Sequence, residues 1–127
     1  MLSRVIDSNI LIYHLERDPV ITATLVEWML GRKPLFISAI TRIEVLAAPA
    51  MKPEEELRIH RLLGQFLLVP VDARISDTAA RIRRTYRLKL GDSIVAATAL
   101  LTSSTLVTRN IRDFKKISEL SLLNSIC

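Results

Sequence analysis

Short apolar runs along this chain alternate with longer stretches whose apolar residues recur at helical spacing. Val5–Ile6 and their neighbours read as a first strand. Asp18-Pro19 joins an N-cap residue to a first-turn proline and predicts a helix that ends near Gly31. Leu35–Ala39 is a second strand, followed by a helix through Glu44. Pro53 opens a further helix, with Glu54, Glu55 and Glu56 placed favourably at the positive end of its dipole. Phe66–Val71 is a third strand, and Asp72 can cap the long Arg-rich helix after it. Asp92 precedes SIVAATALL, an almost wholly apolar helix expected to be buried. Thr105–Thr108 reads as a fourth strand and Leu120–Leu123 as a short fifth. Strands alternating with helices predict an α/β fold, with a mainly parallel sheet of four to five strands and helices on both faces.

At 127 residues the chain has room for one domain and one core, so residues 1–127 are taken as one unit. Half of the residues are hydrophobic and 24% are charged, a balance that supports a packed sheet and excludes a disordered chain. The single cysteine, Cys127, excludes a disulfide framework and cannot make a structural zinc site. Met1 leads directly into a strand-like segment, without the basic region and apolar run of a secretory signal. The longest apolar stretch, Ile94 to Val107, carries several Ser and Thr and falls short of the ~20 residues of a membrane span. A cytoplasmic protein is expected. The net charge of +5 and pI near 9.9 favour polyanionic partners.

In a parallel α/β sheet, sites form at the carboxyl ends of the strands, around the point where strand order reverses. Four separated acids fall at or near such ends. Asp7 ends the first strand in VIDSN, and Glu44 lies beyond the second in SAITRIEVL. Asp92 begins the buried helix in LGDSIVAATAL, and Asp113 follows the fourth strand in LVTRNIRDF, three residues after Asn110. Hard oxygen donors of this kind suit Mg²⁺ or Mn²⁺ and not zinc or copper. Each acid also has a structural alternative. Asp92 can cap its helix. Thr41-x-x-Glu44 matches a capping box, Asp113 can be a loop acid, and Asp7-Ser8-Asn9 can be turn chemistry.

In this order and spacing, VIDSNILIYHL, the Glu44 helix, LGDSIVAATAL and LVTRNIRDF resemble the PIN-domain nucleases, and within them the VapC-type toxins of prokaryotic toxin–antitoxin pairs. The likeness spans nearly the whole chain. Its most specific parts are D-x-N near the start and D-x-x-x-A-A-T-A with T-R-N-x-x-D-F after it. The resemblance implies a metal-dependent endoribonuclease, with Asp7, Glu44 and Asp92 as site acids and Asp113 as the fourth. It implies that Asp7 and Asp92 hold Mg²⁺, with Mn²⁺ as an alternative, that Asn9 supports Asp7, and that Thr108 orients ligands. It further implies a homodimer and a small antitoxin protein that blocks the site. Two positions depart from the family pattern. Gly91 stands where many relatives have proline, and Asn110 stands where some have an acid.

Arg109, between Thr108 and Asn110, is the best single candidate for an RNA contact. Arg81, Arg83, Arg84, Arg87 and Lys89 form the densest basic run, but a helix cannot turn them all one way; a solvated face or RNA phosphate binding are the two readings. His14 and His60 lack a metal-ligand partner pattern and read as structural or surface residues. Trp28 reads as core or interface, and one Trp, two Tyr and three Phe give no sign of a base-stacking platform. No Gly-rich phosphate loop is present, which argues against a P-loop enzyme. Two other classes compete with the nuclease. One is a PIN-like RNA-binding scaffold without catalysis, which would tolerate loss of acids. The other is a phosphoacceptor receiver domain, which needs clustered acids at the first strand end and a lysine after the last strand, where this chain has Asp7 alone and Arg109.

Overall fold

The computed structural model describes residues 3–49 and 51–123, and Cys127 lies outside them. In chain order the elements are β1 Arg4–Ile6, α1 Ser8–Leu15, α2 Pro19–Leu30, β2 Leu35–Ser38, α3 Ala39–Leu46, α4 Pro53–Leu63, β3 Leu67–Val69, α5 Ala73–Tyr86, α6 Leu90–Leu101, β4 Thr105–Val107, α7 Ile111–Phe114 and β5 Leu122–Leu123. The five strands form one sheet in the order β3-β2-β1-β4-β5, and every neighbouring pair is parallel. The expected doubly wound architecture is therefore present, with strand order reversing between β1 and β4.

Alternation along the strands sorts side chains onto two cores. Val5 and Leu106 face one layer, where Ile75, Ala79 and Ile82 of α5 meet the apolar side of α6. Ile6, Val107, Leu35 and Ile37 face the other, against Ile10 and Leu11 of α1, Ile21 and Leu25 of α2, and Ile59, Leu62 and Leu63 of α4. Helix α6 is buried continuously from Ser93 to Ala99. Its two buried hydroxyls are satisfied within the helix, Ser93 Oγ donating to Leu90 O at 2.7 Å and Thr98 Oγ1 to Ile94 O at 2.8 Å. Unpaired, each would cost about 1–3 kcal/mol. The Ile94–Val107 stretch is divided between α6 and β4, and no described helix is long and apolar enough to cross a membrane.

Local capping follows the sequence in two places. Asp18 accepts from Val20 N and Ile21 N at 3.1 Å each to open α2, and Asp72 accepts from Ile75 N at 2.9 Å to open α5. Elsewhere the boundaries move. Ser38, not Thr41, caps α3 through a 3.2 Å bond from Ile40 N, so Glu44 lies in the second turn and the capping-box alternative fails. Helix α6 starts at Leu90 with Lys89 at its N-cap, which leaves Asp92 inside the first turn with no capping bond. Helices α1 and α7 were absent from the sequence-based expectation. The expected third strand is trimmed to Leu67–Val69, because Pro70 cannot donate to a ladder.

Candidate active site

Parallel pairing of β1 with β4 puts Ile6 opposite Val107, so the next residues, Asp7 and Thr108, meet where the strand order reverses. Asp7 N donates to Val107 O at 3.0 Å, extending the ladder one step. The Asp7 carboxylate is 5% exposed and Thr108 is fully buried. Thr108 Oγ1 donates to Asp7 Oδ2 at 2.8 Å, Ser8 N donates to Asp7 Oδ1 at 2.8 Å, and Asn9 Nδ2 reaches Asp7 Oδ2 at 3.3 Å. Asp7 is thus also the N-cap of α1, so the turn-chemistry alternative is correct as far as it goes. Capping alone does not call for a buried carboxylate between two strand ends.

The loop after β4 is tied to the same point. Asn110 N donates to Thr108 Oγ1 at 3.0 Å, and Asn9 Nδ2 lies 3.4 Å from that oxygen. Arg109 N donates to Asn9 Oδ1 at 3.2 Å. Its guanidinium carbon stands 4.9 Å from the centroid of the Tyr13 ring, holding the side chain over α1. Asn110 Nδ2 donates to Asp113 Oδ2 at 3.2 Å. The position that some relatives fill with an acid here orients the acid three residues later.

Glu44 and Asp92 approach from α3 and α6. Gly91 lies beside Glu44: a Cβ at this glycine would stand 3.8 Å from Glu44 Oε2 and 3.8 Å from Ile40 Cγ1. Neither Glu44 nor Asp92 has a side-chain hydrogen bond among the described residues. Thr41 Oγ1, three residues before Glu44 and so on nearly the same helix face, is buried without a partner among the described residues.

Electrostatics couple these acids. Burial, then the charges of Asp92 and Glu44, push the Asp7 carboxyl up to about 6, against the opposing hydrogen bonds from Thr108 and Ser8. Asp92 is also raised, first by burial, then by Asp113 and by Glu44, while Lys89 opposes the shift. Asp7 is thus coupled to Asp92 and Glu44, and Asp92 to Asp113 and Glu44. They are not drawn into contact: among the described residues no three His, Cys, Asp or Glu side chains form a group able to hold a metal ion.

The remaining sequence candidates fall elsewhere. His14 Nδ1 pairs with Thr22 Oγ1 at 2.9 Å, and its pKa is lowered by burial and by Arg58. His60 lies 3.7 Å from Glu56 and 3.2 Å from Arg42. His14 is partly buried and His60 exposed, consistent with reading them as structural or surface residues. Arg81, Arg83, Arg84 and Arg87 are all exposed, and Arg81 pairs with Glu119 at 3.9 Å. Sequence reading missed Tyr13 and Ser8; Ser8 acts through its backbone, which no side-chain pattern reports.

A PIN-domain model matches residues 4–120. Ribonuclease VapC10 of Mycobacterium tuberculosis is 32% identical over 123 residues, covering 91% of this chain and 88% of the relative. A toxin–antitoxin complex from Klebsiella pneumoniae contains a chain with 30% identity and a TM-score of 0.82, covering 95% of this chain and 96% of that one. The fold is shared also with VapBC2 from Rickettsia felis bound to a DNA fragment from its promoter, at 21% identity and a TM-score of 0.83, with 96% and 98% covered. The chain belongs to the PIN-domain family and is similar over nearly its whole length to VapC-type ribonucleases.

Proposed function

We propose that the protein is a metal-dependent endoribonuclease of the VapC type, hydrolysing RNA phosphodiester bonds at the crevice that Asp7, Glu44, Asp92 and Asp113 line. The single observation that carries this reading is the Asp7 carboxyl buried where the strand order reverses, its pKa raised by that burial and to a lesser degree by Asp92 and Glu44. Carboxylates that repel one another are retained where a cation compensates them. The donor set, all hard oxygen, fits Mg²⁺ or Mn²⁺. Asp7 and Asp92 would hold the ion, with Glu44 and Asp113 completing the site. A divalent ion bound there supplies positive charge that polarises a phosphodiester and lowers the pKa of water.

The chain's own groups do the rest. Thr108 and Ser8 fix the two oxygens of Asp7, and Oδ1, which accepts only from Ser8, keeps acceptor capacity for a ligand. Asn9 supports Asp7, and Asn110 sets the rotamer of Asp113. Glu44, exposed and without a hydrogen bond, is free to accept a proton from an attacking water. Arg109, held at the mouth of the crevice, contacts an RNA phosphate. The toxin–antitoxin complex from Klebsiella pneumoniae supports a small antitoxin protein as partner. The family resemblance further implies that it blocks the site, that the toxin is a homodimer and that the toxin acts in the cytoplasm. The full acid set favours this reading over a PIN-like scaffold that only binds RNA.

The test is cleavage of structured RNA by purified protein freed of other chains. Activity with Mg²⁺ or Mn²⁺ and none in EDTA is expected. Undiminished cutting in EDTA would sink the metal mechanism.

A further inference from the structure

The amino ends of the strands, opposite the acidic crevice, carry a second cluster of nucleic-acid chemistry. Arg4 starts β1 and lies three residues, about 10 Å along a strand, from Asp7. Its guanidinium carbon stands 4.2 Å from the centroid of the Trp28 ring. The two close a hollow of about 250 Å³ whose other walls are Glu27, Gly31, Arg32 and Lys33. Arg32 and Lys33 are exposed on the turn between α2 and β2.

Charge is the first argument for a ligand here. No ion pair among the described residues involves Arg4, Arg32 or Lys33, although Glu27 lines the same hollow. Three cations against one carboxylate and the half charge at the end of α2 leave about +1.5 in one small space. Two basic residues after a helix C-terminus would by themselves only complement the dipole. That role needs neither the indole nor an arginine brought to it from another element.

Shape and chemistry narrow the ligand. The hollow is smaller than the roughly 300–1,000 Å³ of pockets that enclose a drug-sized molecule, which suits one planar ring. The Arg4 guanidinium lies over one face of the half-buried Trp28 ring, so its own outer face, backed by the indole, is the plane that can stack a nucleobase. Arg32 and Lys33 offer donors to the phosphate next to it, and Glu27 offers an acceptor to a base amino group. An acidic peptide would use the cations but not the planar stacking surface of Arg4 on Trp28.

We propose that Arg4, Trp28, Arg32 and Lys33 form a second RNA contact, remote from the acidic crevice, that stacks one base and neutralises its neighbouring phosphate. The choice of RNA as the polyanion rests on the nuclease reading. One ring cannot carry successive bases, so the site takes one nucleotide of a longer strand.

Trp28 is the only tryptophan, so the native chain reports on its own site. A single-stranded 12-nucleotide RNA is titrated into the full chain in EDTA, with tryptophan emission and the anisotropy of labelled RNA both followed. Inorganic phosphate and a glutamate peptide of equal charge serve as controls. Saturable quenching by RNA, absent with phosphate and with the peptide, is expected. Arg32→Ala/Lys33→Ala, at two exposed positions, should weaken RNA binding about tenfold and lower the salt slope by roughly one to two. Arg4→Lys, which keeps the charge, should still reduce the quenching. RNA binding by anisotropy with unchanged emission and an unaffected double variant would overturn the proposal. Equal quenching by the peptide would overturn the nucleotide assignment in favour of an acidic protein partner. RNA-dependent quenching in a protein that cuts nothing with Mg²⁺ would leave this site standing while the nuclease reading falls.

Discussion

The hydroxyl of Thr108 donates a 2.8 Å hydrogen bond to Asp7 Oδ2 across the junction of β1 and β4, with both side chains buried. One Thr108 proton thus fixes one carboxylate oxygen, while the same hydroxyl oxygen accepts from Asn110 N and so anchors the loop that carries Asp113. The bond ties two acids of the crevice to one buried group.

Replacing Thr108 by Val keeps the shape but removes both functions. Asp7 loses its shortest side-chain donor, and Asn110 N loses its acceptor. Each loss is of order 1–3 kcal/mol where the orphaned group stays buried. Chemical denaturation of Thr108→Val should show destabilisation in this range, together with loss of RNA cleavage. Thr108→Ser should recover most of both. A Val variant as stable and active as wild type would show that the bond is incidental.

The raised Asp7 carboxyl sets the sign of the pH dependence. Its pKa is about 6 in the folded chain, against 3.8 for the unperturbed group. An acid with a folded pKa above its unfolded value binds its proton more tightly when folded. Its stabilising contribution is present below pH ~4 and is lost as pH rises to about 6. Two pKa units correspond to ~3 kcal/mol. Asp92, raised as well, acts in the same direction. Without divalent metal, the melting temperature should therefore fall between pH 4.5 and 7, and Asp7→Asn should flatten that fall. A profile that rises over this interval in EDTA contradicts the burial argument.

Gly91 has no positive φ, and a Cβ there meets Glu44 and Ile40 at ordinary van der Waals distance. Nothing in the backbone requires glycine in this first turn of α6. Gly91→Ala should raise stability by about 0.4–1 kcal/mol, by restricting the unfolded chain. It should leave cleavage intact, because no acid is displaced. Denaturant midpoints measured beside activity check both halves.

The sheet was legible because its strands stand out as short apolar runs between helical patterns, and Asp18 and Asp72 cap α2 and α5 as their neighbours suggest. Helix α1 was not. Its SNILIYHL sequence buries Ile10 and Leu11 but leaves Ile12 and Tyr13 about 40% and 38% exposed, so no polar face marks the period. Helix α7, at four residues, is shorter than any periodicity can reveal. At α3, Ser38 and Thr41 both lie where a cap can sit, and the end of β2 decides between them. Asp7 was legible as a strand-end acid, whereas Glu44, Asp92 and Asp113 lie within α3, α6 and α7. Their separations, and the bond from Asn110 to Asp113, depend on loop paths that spacing does not encode.

Beyond the α1 cap, a role that Asn also fills, the negative charges of Asp7 and Asp92 are proposed to serve a bound cation and not the fold. Thermal melting of wild type, Asp7→Asn and Asp92→Asn, in EDTA and in excess Mg²⁺, tests it beside an RNA-cleavage assay. In EDTA both variants should melt no lower than wild type, since each removes a carboxylate that opposes its neighbours. Asp92 holds no capping bond to lose, though its favourable place in the first turn of α6 trims that gain by about 0.3–1 kcal/mol. Excess Mg²⁺ should raise the wild-type melting temperature by mass action and the variants' much less, and neither variant should cut RNA. Variants that melt well below wild type in EDTA, or that still cleave, would contradict the claim and make these acids structural.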